Sequence, residues 1–220
     1  MLFFWIFLYG LILTAVNAAA SLWMRSILLA GYVLAFLSWI RKTGSAKQAG
    51  LMPMAWGCWE DVAYLLPLLL FPVYNLLFRS GPFPPGAIWL EMLSVCLVEE
   101  LFFRGFLLSW FQRKGIPGSI LFVSLAFSAM HLVNCVSTAD GQYVFLQAVS
   151  SFFVSICYCA VTLRWGSVLP CVAAHFLTNI FGTGELTSIP ALVCCVVLHA
   201  LWDGVLCLKT IKEKKNAILH

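Results

Sequence analysis

The sequence predicts an all-α, polytopic transmembrane bundle of about eight spans with both termini in the cytoplasm. Three observations predict it. Hydrophobic residues make up 62% of the 220 residues and charged residues only 10%, whereas soluble domains are about a quarter charged. The apolar runs are long and do not alternate with polar residues, which favours helices over a β-barrel in lipid. Lysine and arginine are distributed very unevenly between alternate loops, which predicts the orientation.

The candidate spans follow one another in a single integral membrane domain that covers residues 1–220. They lie at about 2–22, 26–40, 62–78, 86–111, 118–135, 142–163, 165–182 and 187–208. A crossing needs roughly 20 apolar residues, so the second and third spans are short. The fourth would be about 39 Å long as a straight helix and is expected to tilt or protrude. The first span lacks a Lys or Arg before its apolar run, which favours a retained helix over a cleaved signal peptide.

The connections between the spans carry the expected turn residues. RKTGSAKQAG at 41–50 is the one strongly polar loop. Glycine and proline interrupt the chain in RSGPFPPG (79–86), RKGIPG (113–118) and GTGELTSIP (182–190). The final KTIKEKKNAILH is predicted to be a solvated basic tail. We find no internal repeat and no second domain.

Eight spans place both termini on one side of the membrane, and the basic residues gather on that side. It collects Arg41, Lys42, Lys47, Arg113, Lys114, Arg164, Lys209, Lys212, Lys214 and Lys215, against Arg25 and Arg79 on the other side. Cytoplasmic loops carry this excess, so both termini are predicted to be cytoplasmic. The net charge of +4 is explained by topology, and we expect no nucleic-acid partner.

The nine cysteines are an odd number and lie mostly within apolar runs. Their spacing matches neither a zinc-ligand pattern nor a set of paired extracellular disulfides. They are therefore interpreted as small buried hydrophobic residues.

A few ionisable residues fall within the spans and not in the loops. They are Glu91, Glu99, Glu100, Arg104, His131, His175, His199 and Asp203. An ionised group at the centre of a bilayer costs about 2.5–3.5 kcal/mol on insertion scales. Ionisable residues at this depth are therefore functional candidates.

The stretch VEELFFRGFL at 98–107 holds three of these charges. Glu100 and Arg104 are four residues apart, so they share a helical face and are expected to pair. Glu99 lies about 100° round the helix and is left free to act as a general base. The alternative is an ion-paired knot that ties helices together.

Two further helices carry polar residues at a spacing of four. Phe127 and His131 share a face, although a lone histidine is more often a satisfied buried side chain than a catalyst. His175 and Asn179 share another face and could donate hydrogen bonds to one oxyanion. Their alternative role is hydrogen bonding between helices. His199 and Asp203, again four apart, are expected to be a structural pair, a proton site or an oriented histidine.

Three helices thus carry E-E-x-x-x-R, F-x-x-x-H and H-x-x-x-N in that order. In these motifs the sequence resembles the CPBP family of intramembrane proteases, also called the CAAX-protease or Abi family, which includes Ras-converting CAAX endopeptidases. The motifs stand as Glu99-Glu100-Leu101-Phe102-Phe103-Arg104, Phe127-Ser128-Ala129-Met130-His131 and His175-Phe176-Leu177-Thr178-Asn179. Gly105 and the WGSVLP run before His175 are also similar to that family. Residues 86–182 carry the motif core.

The resemblance implies hydrolysis of a peptide bond within the membrane. Glu99 would activate water, His131 would hold or polarise that water, and His175 with Asn179 would stabilise the oxyanion. Glu100, Arg104 and Phe127 would support them. We expect no cofactor, since the H-E-x-x-H pattern is absent. The alternative is a Zn²⁺ ion held by the glutamates and histidines of the same motifs.

The expected partners are the lipid bilayer and a membrane-tethered protein or peptide substrate. We expect a multi-pass protein of the plasma membrane of a prokaryote. The sequence does not predict its oligomeric state. Bacteriocin-immunity proteins also belong to the family that the motifs resemble. A non-catalytic immunity or scaffold protein is therefore an alternative, and a proton-relaying transporter is a weaker one because the sequence shows no internal symmetry.

Overall fold

The computed structural model describes residues 2–17, 21–54, 57–132, 141–182 and 189–219, and these form helices joined by turns. The helices are α1 (Leu2–Asn17), α2 (Leu22–Lys42), α3 (Val62–Phe78), α4 (Gly86–Glu100), a π-helical segment (Leu101–Leu107) that runs into α5 (Leu108–Phe111), α6 (Ile116–His131), α7 (Gly141–Trp165), α8 (Leu169–Phe181) and α9 (Ile189–Leu219). The all-α prediction is therefore confirmed for the described residues.

Among the described residues, three stretches of helix are long and apolar enough to cross a membrane. They are Leu22–Lys42, Val144–Trp165 and Leu192–Glu213, and the shorter apolar helices are Val62–Phe78, Ile116–His131 and Leu169–Phe181. Each predicted span overlaps a helix. Residues 18–20, 133–135 and 187–188, which belong to three of the predicted spans, lie outside the described residues. The number of crossings stays a prediction.

The prediction that the second span begins at residue 26 is wrong by one turn, because α2 begins at Leu22. The charge of Arg25, which marked the boundary, has a partner. Its Nη2 donates to Glu91 Oε1 at 2.8 Å, and the adjacent Ser26 hydroxyl donates to the Ala87 carbonyl at 2.6 Å. These bonds join the beginnings of α2 and α4, so Glu91 is accounted for by an ion pair outside the motifs.

The predicted basic tail after residue 208 is helical, because α9 continues to Leu219. Two of the tail charges have partners on other helices. Lys209 Nζ donates to a Glu60 carboxylate oxygen, and Glu213 Oε2 accepts from Arg164 Nη1 at 3.1 Å. These contacts favour continuation of the helix beyond its apolar part.

A buried carboxylate, Asp61, ties the beginning of α3 to the end of α7. Its Oδ1 accepts from Arg164 Nε at 2.9 Å. Its Oδ2 accepts from the backbone N–H groups of Gly57 and Cys58 at 2.9 and 3.2 Å. Burial alone would raise the pKa of Asp61, but these hydrogen bonds outweigh it and lower the pKa to about 2.

We expect this carboxylate to make stability depend on acid pH. A pKa lowered in the folded state stabilises the protein above the unfolded value of about 3.9, and that stabilisation is lost as the pH falls towards about 2. The melting temperature of wild type should be higher than that of Asp61→Asn at pH 5, and the difference between the two melting temperatures should shrink towards pH 2. Thermal unfolding in detergent at both pH values measures this. A difference that grows as the pH falls would contradict the assignment.

The polar loop predicted at 41–50 is folded against the motif helices. Gly50 has a positive φ of 70°, and its carbonyl accepts from the Val168 N–H, just before α8, at 3.0 Å. Ala49 is fully buried. A Cβ added to Gly105 of the π-helical segment would lie 2.5 Å from the Ala49 carbonyl oxygen. The loop therefore contacts two elements that carry motif residues, and only glycine fits at position 105.

Gly105→Ala is expected to destabilise the protein. Backbone atoms of the loop would have to move, and overpacking of this kind costs about 1–3 kcal/mol. Gly31→Ala in α2 is the matched control, because a Cβ there meets nothing within 4 Å and alanine favours a helix. Thermal unfolding of both variants measures the difference. Equal melting temperatures would show that the loop does not restrain the segment.

Candidate active site

The Glu100–Arg104 pair predicted from the spacing is present and completely buried. Arg104 Nη1 donates to Glu100 Oε1 at 2.9 Å, and neither side chain is exposed. The guanidinium also lies over aromatic rings, with Cζ 4.0 Å from the Phe127 centroid and 5.2 Å from the Tyr158 centroid. Arg104 Nε and Nη2 have no hydrogen-bond partner among the described residues. Rings of α6 and α7 thus cover the part of the cation that Glu100 leaves open.

His175 of α8 meets the same carboxylate. Its Nδ1 lies 2.9 Å from Glu100 Oε1, the oxygen that Arg104 also contacts. An ionised carboxylate only accepts hydrogen bonds, so Nδ1 donates and Nε2 points away from Glu100. Glu100 therefore fixes the tautomer and orientation of His175. The sequence predicted only that Glu100 supports Glu99.

Glu99 lies on the other side of the imidazole. Its Oε2 is 3.9 Å from His175 Nε2, beyond hydrogen-bond distance but within reach of a strong electrostatic interaction. The Glu99 side chain is 14% exposed, whereas Glu100 is fully buried. Adjacent positions on one helix thus place one glutamate inside the protein and leave the other accessible.

Glu99 forms part of the wall of a cleft with a cavity volume of about 50 Å³. Its walls come from α1, α2, α4, the π-helical segment and α6 and consist of Leu2, Trp5, Ile6, Tyr9, Tyr32, Phe36, Val98, Glu99, Phe102, Phe103 and Met130. Glu99 is the only ionisable carboxylate among them. The cleft is therefore lined by aromatic and aliphatic side chains apart from one carboxylate.

The other two motif residues have different partners. His131 Nδ1 lies 2.9 Å from the Phe127 carbonyl oxygen, so Nδ1 donates and Nε2 keeps a lone pair. The Phe127 ring contacts both histidines, with centroids 4.8 Å from His131 and 5.9 Å from His175. Asn179 Nδ2 lies 3.3 Å from the Cys96 sulfur. Phe127 is thus the shared wall between the second and third motifs.

The three motifs therefore meet around His175 and Phe127. Residues 81–181 match the family model described as type II CAAX prenyl endopeptidase Rce1-like. These residues belong to the CAAX protease family. No curated protein and no solved structure matches the chain.

The CAAX-protease segment contains all seven predicted site residues. Its family is one of endopeptidases, whose substrates are proteins. The family match of residues 81–181 and the three long apolar helices of the described residues indicate an integral membrane protein.

A π-helical segment directly after Glu100 is a feature of this CAAX-protease domain that the sequence analysis missed. The sequence predicts one straight helix over 86–111, whereas Leu101–Leu107 is wound as a π-helix. Single π turns occur frequently at functional sites. The segment carries Arg104 and the glycine that contacts the loop, and neither a proline nor a periodicity change in the sequence marks it.

Tyr9 of α1 is a second feature that was missed. It lines the cleft with Glu99 and is only 8% exposed. Its hydroxyl has no hydrogen-bond partner among the described residues. No motif lies in α1, so only the packing of α1 against the motif helices reveals this donor.

The motif residues are poorly arranged to hold a metal through Glu100. Its Oε1 already contacts both Arg104 and His175, and a cation 2.9 Å away opposes binding of a second cation. Glu99 and the Nε2 atoms of the two histidines remain as possible ligands.

Proposed function

We propose that the protein is an intramembrane endopeptidase of the CAAX-protease type, which hydrolyses a peptide bond with water activated by Glu99. The observation that carries the proposal is the placement of His175 between two glutamates. Glu100 holds it at 2.9 Å, and Glu99 lies 3.9 Å from its other nitrogen on the wall of the cleft. A base and an oriented donor beside an accessible cleft are the parts that amide hydrolysis requires.

The charges of the cluster support this division of roles. Ionised Glu99 and Glu100 carry two negative charges, and Arg104 supplies one positive charge. A proton on each nitrogen of His175 makes the cluster neutral, which suits a site within lipid. In that state Nε2–H is a charged donor beside Glu99, placed to stabilise the oxyanion while Glu99 takes the proton of the attacking water.

His131 and Asn179 complete the proposed site. With its Nδ1–H bonded to a backbone carbonyl, His131 offers the lone pair of Nε2, which can accept a hydrogen bond from the water and orient its oxygen. Asn179 lies one turn after His175 on α8 and can give its amide to the oxyanion in place of the Cys96 sulfur. Phe127 keeps the two histidines apart and covers the Arg104 cation.

We propose a metal-free mechanism. The support is the contact of Arg104 with Glu100, which removes one of the four possible ligands of the motifs. Zinc bound by Glu99, His131 and His175 is the alternative. A chelator would be used to remove metal from the protein. Cleavage activity that persists in the metal-free protein supports the metal-free mechanism, and activity that is lost supports zinc.

The proposed substrate is a membrane-tethered protein or peptide with an apolar segment near the cleaved bond. The walls of the cleft beside Glu99 are aromatic and aliphatic, and such walls bind a hydrocarbon chain or an apolar peptide segment through the hydrophobic effect. The family description adds prenylated proteins to this class. Substrate would approach from the lipid between α1 and α6.

The proposed location is the plasma membrane of a prokaryote, with both termini cytoplasmic. The contact of Asp61 with Arg164, and of Arg164 with Glu213, gathers the beginning of α3 and the ends of α7 and α9 at one end of the bundle. These are ends that the predicted topology assigns to the same side. The excess of basic residues favours the cytoplasm for that side.

Reconstituted protein tests the proposed activity. Wild type in proteoliposomes should cleave membrane-tethered reporter peptides, with and without a prenyl group, and mass spectrometry should identify a new C-terminus. His175→Gln should abolish the cleavage. Intact reporters with folded wild type, or equal cleavage by His175→Gln, would overturn the proposal. The first result would favour a non-catalytic immunity or scaffold protein.

Tyr9 is expected to contribute to the same reaction. Tyr9 lines the cleft with Glu99, and its buried hydroxyl, without a partner among the described residues, could donate to the substrate carbonyl. Tyr9→Phe should lower kcat about 10- to 100-fold with little change in KM, on the scale of a lost oxyanion donor. Tyr64→Phe makes the same deletion at a distant buried tyrosine whose hydroxyl contacts Thr210. Equal kinetics of the two variants would exclude a role for Tyr9.

A further inference from the structure

A second polar cluster lies outside the candidate active site. Cys157 of α7 and His199 and Asp203 of α9 each offer a ligand atom, and all these atoms lie within 4.8 Å of one another. All three residues are buried, with exposures of 0%, 1% and 1%. Both helices are among those long enough to cross a membrane. None of the three residues belongs to the family motifs.

The internal contacts of this cluster leave one polar atom unsatisfied. Asp203 Oδ2 lies 2.9 Å from His199 Nδ1. Asp203 Oδ1 is buried and has no hydrogen-bond partner among the described residues. The Phe71 ring, 5.2 Å from the imidazole, covers the cluster. A buried carboxylate oxygen without a partner is costly in an apolar interior, so this atom points to a ligand that the protein contacts alone do not provide.

We propose that Cys157, His199 and Asp203 form a structural Zn²⁺ site that ties α7 to α9. Thiolate, imidazole and carboxylate together are donors that zinc accepts, whereas a thiolate disfavours Ca²⁺ and Mg²⁺. Zinc binds such donors at about 2.0–2.3 Å, which places them about 3.3–3.7 Å apart in a tetrahedron. The observed spacing allows that geometry with small side-chain movements.

Charge also favours zinc at this depth. Binding removes the thiol proton of Cys157. One thiolate, one carboxylate and a neutral imidazole carry two negative charges, which the Zn²⁺ ion cancels. The complex is therefore neutral, as burial in membrane-spanning helices requires. The site would stabilise the packing of α7 against α9 independently of peptide hydrolysis.

Zinc content tests the proposal on the full-length protein. The protein in detergent would be stripped with a chelator, supplied with zinc chloride and separated from free metal by size exclusion. Mass spectrometry of the folded peak should give about one zinc per chain for wild type. It should give less than a tenth of that for Cys157→Ser and Asp203→Asn. Cys159→Ser is the matched control, a buried thiol on the same helix outside the cluster, and it should retain zinc.

Two further measurements remove the ambiguities. Glu99→Gln should retain zinc. If Glu99→Gln lost zinc while Cys157→Ser kept it, the metal would lie at the protease motifs and the proposal would be overturned. X-ray absorption of zinc-loaded wild type reports the ligands even where a variant fails to fold. One sulfur at about 2.3 Å supports the site, whereas a shell of only nitrogen and oxygen, or folded wild type without zinc, would overturn it.

Discussion

Glu99→Gln is expected to slow cleavage of a membrane-tethered reporter about 10²- to 10⁴-fold. Glutamine has nearly the same shape but cannot accept the proton of water, and general base catalysis contributes about 10²–10⁴ in rate. The fold should persist, because the carboxylate lies 3.9 Å from His175 and makes no direct hydrogen bond with it. We expect kcat to fall by about that factor with KM nearly unchanged. Steady-state cleavage in proteoliposomes at varied reporter concentration measures both.

Glu60→Gln is the control for this variant. Glu60 precedes α3, and about half of its side chain is exposed, at 45%. Its loss should leave kcat within about twofold of wild type, as is usual for surface substitutions. If Glu99→Gln also retained wild-type kcat while folding normally, the base of the reaction would have to be another group.

Arg104→Met is expected to be the most destabilising single change at the site. It removes the cation from Glu100, a fully buried carboxylate whose second oxygen has no partner among the described residues. Removing one member of a buried pair costs about 3–5 kcal/mol, because it leaves an uncompensated charge. The melting temperature in detergent should fall steeply, and His175 should lose its fixed orientation.

The double variant Glu100→Gln/Arg104→Met separates charge from packing. Without either charge the uncompensated group is gone, so the double variant should be more stable than Arg104→Met alone. A double variant that is less stable by the sum of the two single effects would show that the residues act independently. The two buried charges would then not stabilise the site as a pair.

Much of the helical pattern could be predicted from the sequence because lipid leaves a chain few alternatives. The third helix begins and ends where the apolar run does, at Val62 and Phe78. Errors arose where tertiary contacts override composition. Arg25 lies inside α2 because Glu91 neutralises it, and α9 extends past Lys209 because Glu60 and Arg164 on other elements pair with its charges.

The contacts of the candidate site that lie within one helix could be predicted from the spacing of residues along the sequence. A spacing of four residues placed Glu100 with Arg104 correctly, since it depends on one helix alone. The contact of Glu100 with His175 joins residues 75 positions apart, and no local pattern encodes it. Tyr9 and the π-helical segment were missed for the same reason, because packing between helices determines both.

Cleavage in H₂¹⁸O tests the central claim, that Glu99 activates water for hydrolysis of a peptide bond. Wild-type protein and Glu99→Gln would be compared in proteoliposomes over a single turnover, and the new C-terminus would be analysed by mass spectrometry. We predict one ¹⁸O atom in the new carboxylate with wild type and no product with Glu99→Gln. Product without ¹⁸O from wild type, or labelled product at equal rate from Glu99→Gln, would contradict the account.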